Sequence, residues 1–292
     1  NLLNEAALVA ARFDKTVITA AEIDEAIDRV IAGPAKKSRV VSEKEREIVA
    51  YHESGHTVIG MVLNDADTVH KVTIVPRGQA GGYAVMLPKE DRYIVTKPEL
   101  LDKITGLLGG RVAEEIIFGK DNVSTGASND FQRATAIATK MITEYGMSDK
   151  IGPVQFNGSS GEQVFLGRDI HSEQNYSDAI AREIDREIQN FINYCYDRAK
   201  RILTEHREQL ELIAKTLLEV ETLDEQQIHS LFYHGVLPDE NTDSSTEDED
   251  MKVNIQSKDE DQPASFEEAK AKADEKQKEK LEKSKDKNDA FD

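Results

Sequence analysis

Apolar residues recur every three or four positions through most of the chain, and this spacing predicts a mainly helical protein. The predicted helices cover residues 1–12, 19–31, 42–63, 96–118, 129–145, 177–204, 207–219 and 224–233. In the second helix the pattern predicts that four apolar side chains face inward, namely Ile23, Ile27, Val30 and Ile31. In the long sixth helix the apolar side includes Cys195, which favours a packing role for this thiol over a reactive one.

Capping residues mark several of these helix starts. Thr19 with Glu22, and Ser42 with Glu45, fit the capping box, in which two side chains bond each other's backbone N–H groups. Ser128 is predicted to cap the helix that follows it.

Two short segments alternate apolar and polar residues and predict a small β element. Residues 69–75 are rich in β-branched side chains, residues 76–82 form a glycine-rich turn, and residues 83–87 return as a second strand. Further short strands are expected at 154–156 and 164–166. The predicted fold class is therefore mainly α, with a small β-hairpin or sheet.

Composition limits the possible functions. The net charge of the 292 residues is −19, which argues against binding to nucleic acid or to anionic lipid. A single cysteine excludes an internal disulfide framework and a cysteine-rich zinc module. No apolar run approaches the roughly 18 residues that a membrane span needs, so we expect this fragment to be soluble. Any membrane attachment would come from a part of the protein outside this chain.

The chain is predicted to divide into four segments. Residues 1–32 form two short helices that lack a core of their own, which suggests the remnant of an upstream domain, and residues 33–41 form a linker. Residues 42–237 form the main folded unit. Residues 238–292 are acidic and poor in apolar side chains, so we expect a disordered tail.

The clearest chemical signal is the sequence HESGH at 52–56, which fits the H-E-x-x-H pattern of zinc peptidases. Four-residue spacing puts His52 and His56 on one helix face, one turn apart, where both can reach the same ion. Glu53 lies beside them and is the candidate general base, which accepts a proton from the attacking water. The other histidines have no such spacing and are expected to be ordinary surface or half-buried residues; they are His70, His171, His206, His229 and His234.

A catalytic zinc needs a third protein ligand. The position where some families place a third histidine is Val62 here, so the ligand has to come from another helix. The segment 109–115 offers Glu114 and Glu115, and its glycines permit close packing. The segment 124–130 offers Asp130 in the first turn of a helix. Spacing alone leaves these alternatives open.

These motifs in this order resemble the FtsH family of membrane-bound, ATP-dependent zinc metalloproteases. The resemblance is carried by HESGH at 52–56, GGRVAEEIIFG at 109–119 and STGASNDF at 124–131. FLGR at 165–168 is similar to a further segment of that family, and NLLNEAA at 1–7 resembles the last helices of its AAA ATPase module. The likeness extends over about the first 237 residues.

The resemblance implies a site and a mechanism. It makes Asp130 the third zinc ligand beside His52 and His56, and makes Glu114 the carboxylate that holds a ligand histidine by a hydrogen bond. It also implies that an extended substrate pairs with a strand edge, in either the 69–75 or the 83–87 segment.

The resemblance further implies a setting for this chain. ATP and Mg²⁺ would act only in the full-length protein, since the G-x-x-x-x-G-K-[ST] phosphate loop is absent here. The family's substrates are unfolded membrane and cytosolic proteins, its assembly is a homohexamer, and its N-terminal transmembrane segments place it on the cytoplasmic side of the cell membrane.

Two functions from different classes follow as hypotheses. The first is a zinc endopeptidase of this family with Glu53 as general base. The alternative is a non-catalytic helical oligomerisation module whose zinc is structural. The two hypotheses differ in the fourth coordination position of the zinc. A catalytic zinc keeps that position for water, whereas a structural zinc is closed by four protein ligands.

Overall fold

Helices dominate the architecture, which confirms the predicted fold class. The computed structural model describes residues 2–35, 41–63, 68–78, 80–88, 94–156 and 176–238. Its helices are α1 (Leu2–Arg12), α2 (Ala20–Ala32), α3 (Glu43–Val62), α4 (Lys97–Phe118), α5 (Ser128–Thr143), α6 (Asp178–Glu205), α7 (Arg207–Val220) and α8 (Glu225–His234). A short 3₁₀ turn, Lys120–Asn122, follows α4. The described residues belong to one unit, Asn1–Pro238.

Two of the three helix caps predicted from the sequence are found at the helix starts. The capping box of Thr19 and Glu22 is formed, and the Ser42 hydroxyl accepts a hydrogen bond from the backbone N–H of Glu45 at 3.2 Å. The cap predicted at Ser128 is wrong. Ser128 is already the first residue of α5, and the preceding Ala127 offers no side-chain cap.

The strands β1 (Thr68–Thr73), β2 (Tyr83–Leu87) and β3 (Thr222–Asp224) form an antiparallel sheet in the order β2-β1-β3. The predicted hairpin is thus present, with Thr73 opposite Tyr83. The third strand was not predicted. It has only three residues, and it joins β1 from a distant part of the sequence, with Thr222 opposite Thr73. No strand forms at 154–156.

The main core lies between α3, α4, the sheet and α6–α8. At the crossing of α3 and α4 two glycines meet. A Cβ added to Gly55 would lie 2.5 Å from the carbonyl oxygen of Gly109, and one added to Gly109 would lie 2.8 Å from that of Gly55. No larger residue fits either position without moving a backbone, so the glycines fix how closely the two helices approach.

The inward face predicted for the second helix is only partly correct, since Ile23 and Ile27 are half-buried but Val30 and Ile31 are not. Val30 and Ile31 were expected to point inward, but both are well over half exposed. The buried residues of α2 are instead Glu22, Ala26 and Asp28. The reason is electrostatic, since cationic side chains on neighbouring segments pair with the acidic face of α2.

Several predictions fall on residues that the structure does not describe. They are the strand at 164–166, the segment 165–168, His171, most of the linker and the acidic tail from residue 239. Within the described part of the chain, no helix combines the length and the apolar character required to cross a membrane.

Candidate metal centre

Helices α3, α4 and α5 together build the site around the H-E-x-x-H motif. His52, Glu53 and His56 lie in the buried middle of α3, where His52 and Glu53 are only 8% and 7% exposed. Asp130 lies in the first turn of α5. Helix α4 packs across α3 and supplies the groups behind the histidines.

Three side chains bring one ligand atom each to a common point. The Nε2 atoms of His52 and His56 lie 3.4 and 3.7 Å from Oδ2 of Asp130, and the three ligand atoms all lie within 4.8 Å of one another. A tetrahedral zinc with bonds of about 2.0–2.1 Å separates its ligand atoms by about 3.3 Å. The spacing and the two-nitrogen, one-oxygen donor set therefore fit a zinc ion.

The second nitrogen of each histidine is also engaged. Nδ1 of His52 lies 2.7 Å from Oε1 of Glu114, and Nδ1 of His56 lies 2.8 Å from the carbonyl oxygen of Gly106. A carbonyl only accepts hydrogen bonds, as does an ionised carboxylate, so Nδ1 carries the proton in both rings. The lone pair of each neutral ring is then on Nε2, which faces the site.

The structure separates the carboxylates that the sequence left as alternatives. Asp130 lies against both Nε2 atoms, whereas Glu114 lies behind His52. Glu115 points away from the site, since its carboxylate accepts a hydrogen bond from Lys200 at 2.8 Å. Of these three carboxylates, only that of Asp130 therefore lies against both Nε2 atoms.

A glycine on α4 makes room for the first histidine. A Cβ added to Gly110 would overlap the ring of His52, with Nε2 as its nearest atom. The ring is thus confined between Gly110 on one side and its hydrogen bond to Glu114 at its back.

The electrostatics of the site suit a cation and a base. Burial alone would lower the pKa of His52, but the contacts with Asp130 and Glu114 outweigh it and raise the pKa to about 10. Burial would raise the pKa of Asp130, but its bonds to the two histidines bring the pKa below its ordinary value. Burial raises the pKa of Glu53 despite the nearby histidines. Such a shift moves a carboxylate toward the range where a general base works best.

Sequence reasoning missed two partners of the site. The carbonyl of Gly106 is a backbone group, and no side-chain type signals it. Ser124 donates to Glu114 from both its amide and its hydroxyl, at 2.6 and 3.0 Å. The signal that could have pointed to Ser124 was its place at the start of the STGASND segment, which ends in Asp130.

Other candidate groups have ordinary roles. Cys195 is fully buried, and burial raises the pKa of its thiol to about 12, as expected for a packing residue. His70 makes an exposed pair with Glu225, and His206 packs on the ring of Phe232.

Comparison with known proteins places these features in a family. The profile of peptidase family M41 matches residues 39–231. The chain is 72% identical to the ATP-dependent zinc metalloprotease FtsH of Bacillus subtilis over 252 residues, which cover 86% of this chain and 39% of that protein. It is 70% identical to the protein of that name from Alkalihalophilus pseudofirmus, over 82% of this chain and 35% of that protein. It is 65% identical to the ATP-dependent zinc metalloprotease FtsH of Staphylococcus haemolyticus, over 86% of this chain and 34% of that protein.

The chain therefore spans between about a third and two fifths of the length of these curated relatives. The matched family region contains α3 to α7 and every residue of the site described above.

Proposed function

This chain belongs to peptidase family M41, and on that premise we propose that it is the zinc endopeptidase part of a longer ATP-dependent protease. The observation that carries the proposal is the convergence of His52, His56 and Asp130 on one point, with Glu53 beside it. Among the described residues, the side chains that could hold a metal ion at this point are these three, two histidines and one aspartate. Three protein ligands are typical of a catalytic zinc, whereas a structural zinc takes four.

Glu53 has the position and the proton affinity for a general base. It is buried next to the two histidines, and its raised pKa allows it to take a proton from the attacking water and return it to the leaving amine. A zinc ion bound to the three side chains supplies Lewis-acid activation of the water and of the scissile carbonyl. The histidines contribute by presenting Nε2 in a fixed tautomer.

The sheet supplies a candidate edge for an extended substrate. β1 pairs on both sides, with β2 and with β3, whereas β2 pairs with β1 alone among the described strands. Gly82, which directly precedes β2, lies so close to the general base that an added Cβ would be 3.1 Å from Cγ of Glu53. Of the two segments named from the sequence, β2 is therefore the proposed substrate edge.

The wider setting is also part of the proposal. We place ATP hydrolysis in a module outside this chain, consistent with the words "ATP-dependent" in the names of the relatives. Unfolded proteins as substrates, a ring of six subunits and a position on the cytoplasmic side of the cell membrane rest on the family resemblance.

Cleavage of a permanently unfolded, fluorescently labelled protein tests the proposal, because such a substrate needs no ATP-driven unfolding. We expect cleavage by the zinc-loaded chain, loss of cleavage with a chelator, and recovery when zinc is restored. Zinc-loaded protein that leaves the substrate intact would favour the structural zinc module. Cleavage that persists after complete zinc removal would exclude the zinc mechanism.

A further inference from the structure

The carboxylate of Glu114 is held on three sides. Glu114 is fully buried, its Oε1 lies 2.7 Å from Nδ1 of His52 and 3.0 Å from the hydroxyl of Ser124, and its Oε2 accepts from the Ser124 amide at 2.6 Å. Two of these three bonds come from Ser124. A buried carboxylate without such partners would be free to turn or to take a proton, and its hold on the histidine would weaken.

Ser124 is itself fixed in the loop between α4 and α5. Its hydroxyl accepts from the amide of Gly126 at 3.0 Å while donating to Glu114, so both functions of the hydroxyl are in use. Its carbonyl accepts from Nη2 of Arg111 at 2.6 Å. Arg111 belongs to α4, one turn before Glu114, so the loop is tied back to the helix that supports His52.

The same loop determines where α5 begins. The carbonyl of Thr125 accepts from the amide of Ser128, the first residue of α5, at 3.2 Å. The guanidinium of Arg111 lies 5.0 Å from the ring centre of Phe131, the residue after Asp130. A displacement of Ser124 would therefore act on Asp130 as well as on Glu114.

We propose that Ser124 is a positioning residue that fixes two metal ligands from different helices, His52 and Asp130, relative to each other. It acts on His52 through Glu114 and on Asp130 through the start of α5. The H-E-x-x-H spacing sets the two histidines on one helix, but it does not determine where α5 places the third ligand beside them. Ser124 supplies that link. The inference rests on the proposed function of the site as a zinc centre.

Zinc affinity, measured by competition with a chromophoric chelator, tests this role. For Ser124→Ala we expect the dissociation constant of zinc to rise about 10-fold, the lower end of the 10–100-fold range for groups that support metal ligands. Ser124→Thr keeps the hydroxyl and should remain close to the parent. Ser128→Ala is the matched control, because it removes an exposed serine hydroxyl from the same segment.

A double-mutant cycle separates positioning from a general structural role. In a Glu114→Gln background, Ser124→Ala should weaken zinc binding less than it does in the parent, because the route through the Glu114 carboxylate is removed and only the route through the start of α5 remains. Equal effects in both backgrounds would overturn the proposal. If Ser124→Ala fails to fold, Arg111→Lys takes its place. It loosens the carbonyl of Ser124 and also the contact at 4.0 Å between Arg111 and Glu114, and we expect weaker zinc binding in the same direction.

The outcomes also distinguish this inference from the proposed function. If His52→Ala loses zinc but Ser124→Ala binds it as tightly as the parent, Ser124 has no positioning role and the zinc centre stands. If the parent and His52→Ala bind zinc equally well, the proposed zinc centre itself is wrong.

Discussion

Two buried polar clusters in this molecule balance their charges in opposite ways. In the first, which we call the ionic cluster, Arg77 in the turn after β1 pairs with Glu25 at 2.7 Å and with Asp28 at 3.3 Å. Lys71 of β1 also pairs with Asp28, at 2.8 Å. The cluster thus contains its own cations, and it joins α2 to the sheet.

The metal centre does not balance its charges in this way. Its arginine contact is behind the histidines, where Nε of Arg111 lies 4.0 Å from Oε2 of Glu114. Within the described ranges, no lysine or arginine lies within ion-pair distance of Glu53 or Asp130, the carboxylates that face the metal position. The difference appears in the pKa values. The hydrogen bond from Arg77 lowers the pKa of Glu25, whereas burial raises that of Glu53.

The comparison shows how a structural cluster can be told from a binding site. A set of buried acids with matching cations is complete and holds elements together. Where the acids and histidines that face a common point have no fixed cation beside them, the positive charge comes from outside, as protons or as a metal ion.

The largest expected effect is on catalysis. Glu53→Gln keeps the size of the side chain and all three metal ligands but removes the base. We expect cleavage of an unfolded protein to fall by about 10²–10⁴-fold, the range for general acid–base catalysis, with zinc content unchanged. Glu47→Gln, an exposed change on the same helix, is the control and should cleave like the parent. Cleavage by Glu53→Gln at the parent rate would remove Glu53 from the mechanism.

The next effect is on the metal itself. Asp130→Asn should weaken zinc binding by more than the roughly 100-fold upper limit for groups that only support a ligand, because it alters a ligand directly. Asp121→Asn, at an exposed position in the 3₁₀ turn, should leave the affinity unchanged. If Asp130→Asn binds zinc normally and Glu114→Gln does not, the ligand role belongs to Glu114.

The ionic cluster should respond in stability and not in metal binding. Arg77→Met removes the nearest cation of Glu25 and one of the two cations that pair with Asp28. We therefore expect the free energy of unfolding to fall by about 3 kcal/mol, at the low end for a broken buried pair. Arg46→Met breaks an exposed pair with Glu221 and should cost less than about 1 kcal/mol. Denaturant unfolding measures both. A loss of zinc in Arg77→Met without loss of stability would contradict the division into two clusters.

The smallest effect is a proton count. His52, with its pKa raised to about 10, is protonated at neutral pH in the metal-free protein, but a zinc ligand has to be neutral. We expect each zinc to displace about one proton at pH 7 and zinc affinity to rise with pH. Calorimetry in buffers of different ionisation enthalpy measures the count, and zinc binding with no proton release would contradict the assignment.

The raised pKa of His52 also determines how the folding stability of the metal-free protein changes with pH. A histidine whose pKa rises on folding, here from 6.5 to about 10, stabilises the fold fully below pH 6.5. That contribution is lost as the pH rises through about 10. The alkaline loss should disappear in His52→Ala, whereas His70→Ala, which changes an exposed histidine, should retain it.

How much of this could be predicted from the sequence depends on whether the determining contacts are local. Helix spacing, the capping box at Thr19 and the position of Glu53 beside two histidines are set by neighbours in the chain, and they were predicted. The choice between Asp130 and Glu114 depends on how α4 and α5 pack against α3, so the residues alone left it open and only the family resemblance favoured one.

The errors have a similar cause. The inward positions predicted for Val30 and Ile31 were wrong because long-range partners, Arg77 and Lys71, attract the acidic face of α2. The strand Thr222–Asp224 is too short to show a pattern, and it exists because β1 has an edge to pair with.

A crystal structure of the zinc-loaded protein tests the central claim most directly. We predict one zinc ion at about 2.0–2.2 Å from Nε2 of His52, Nε2 of His56 and a carboxylate oxygen of Asp130, with solvent in the fourth position. A fourth protein ligand, an Asp130 that points away from the ion, or no ion between the two imidazoles would contradict the account.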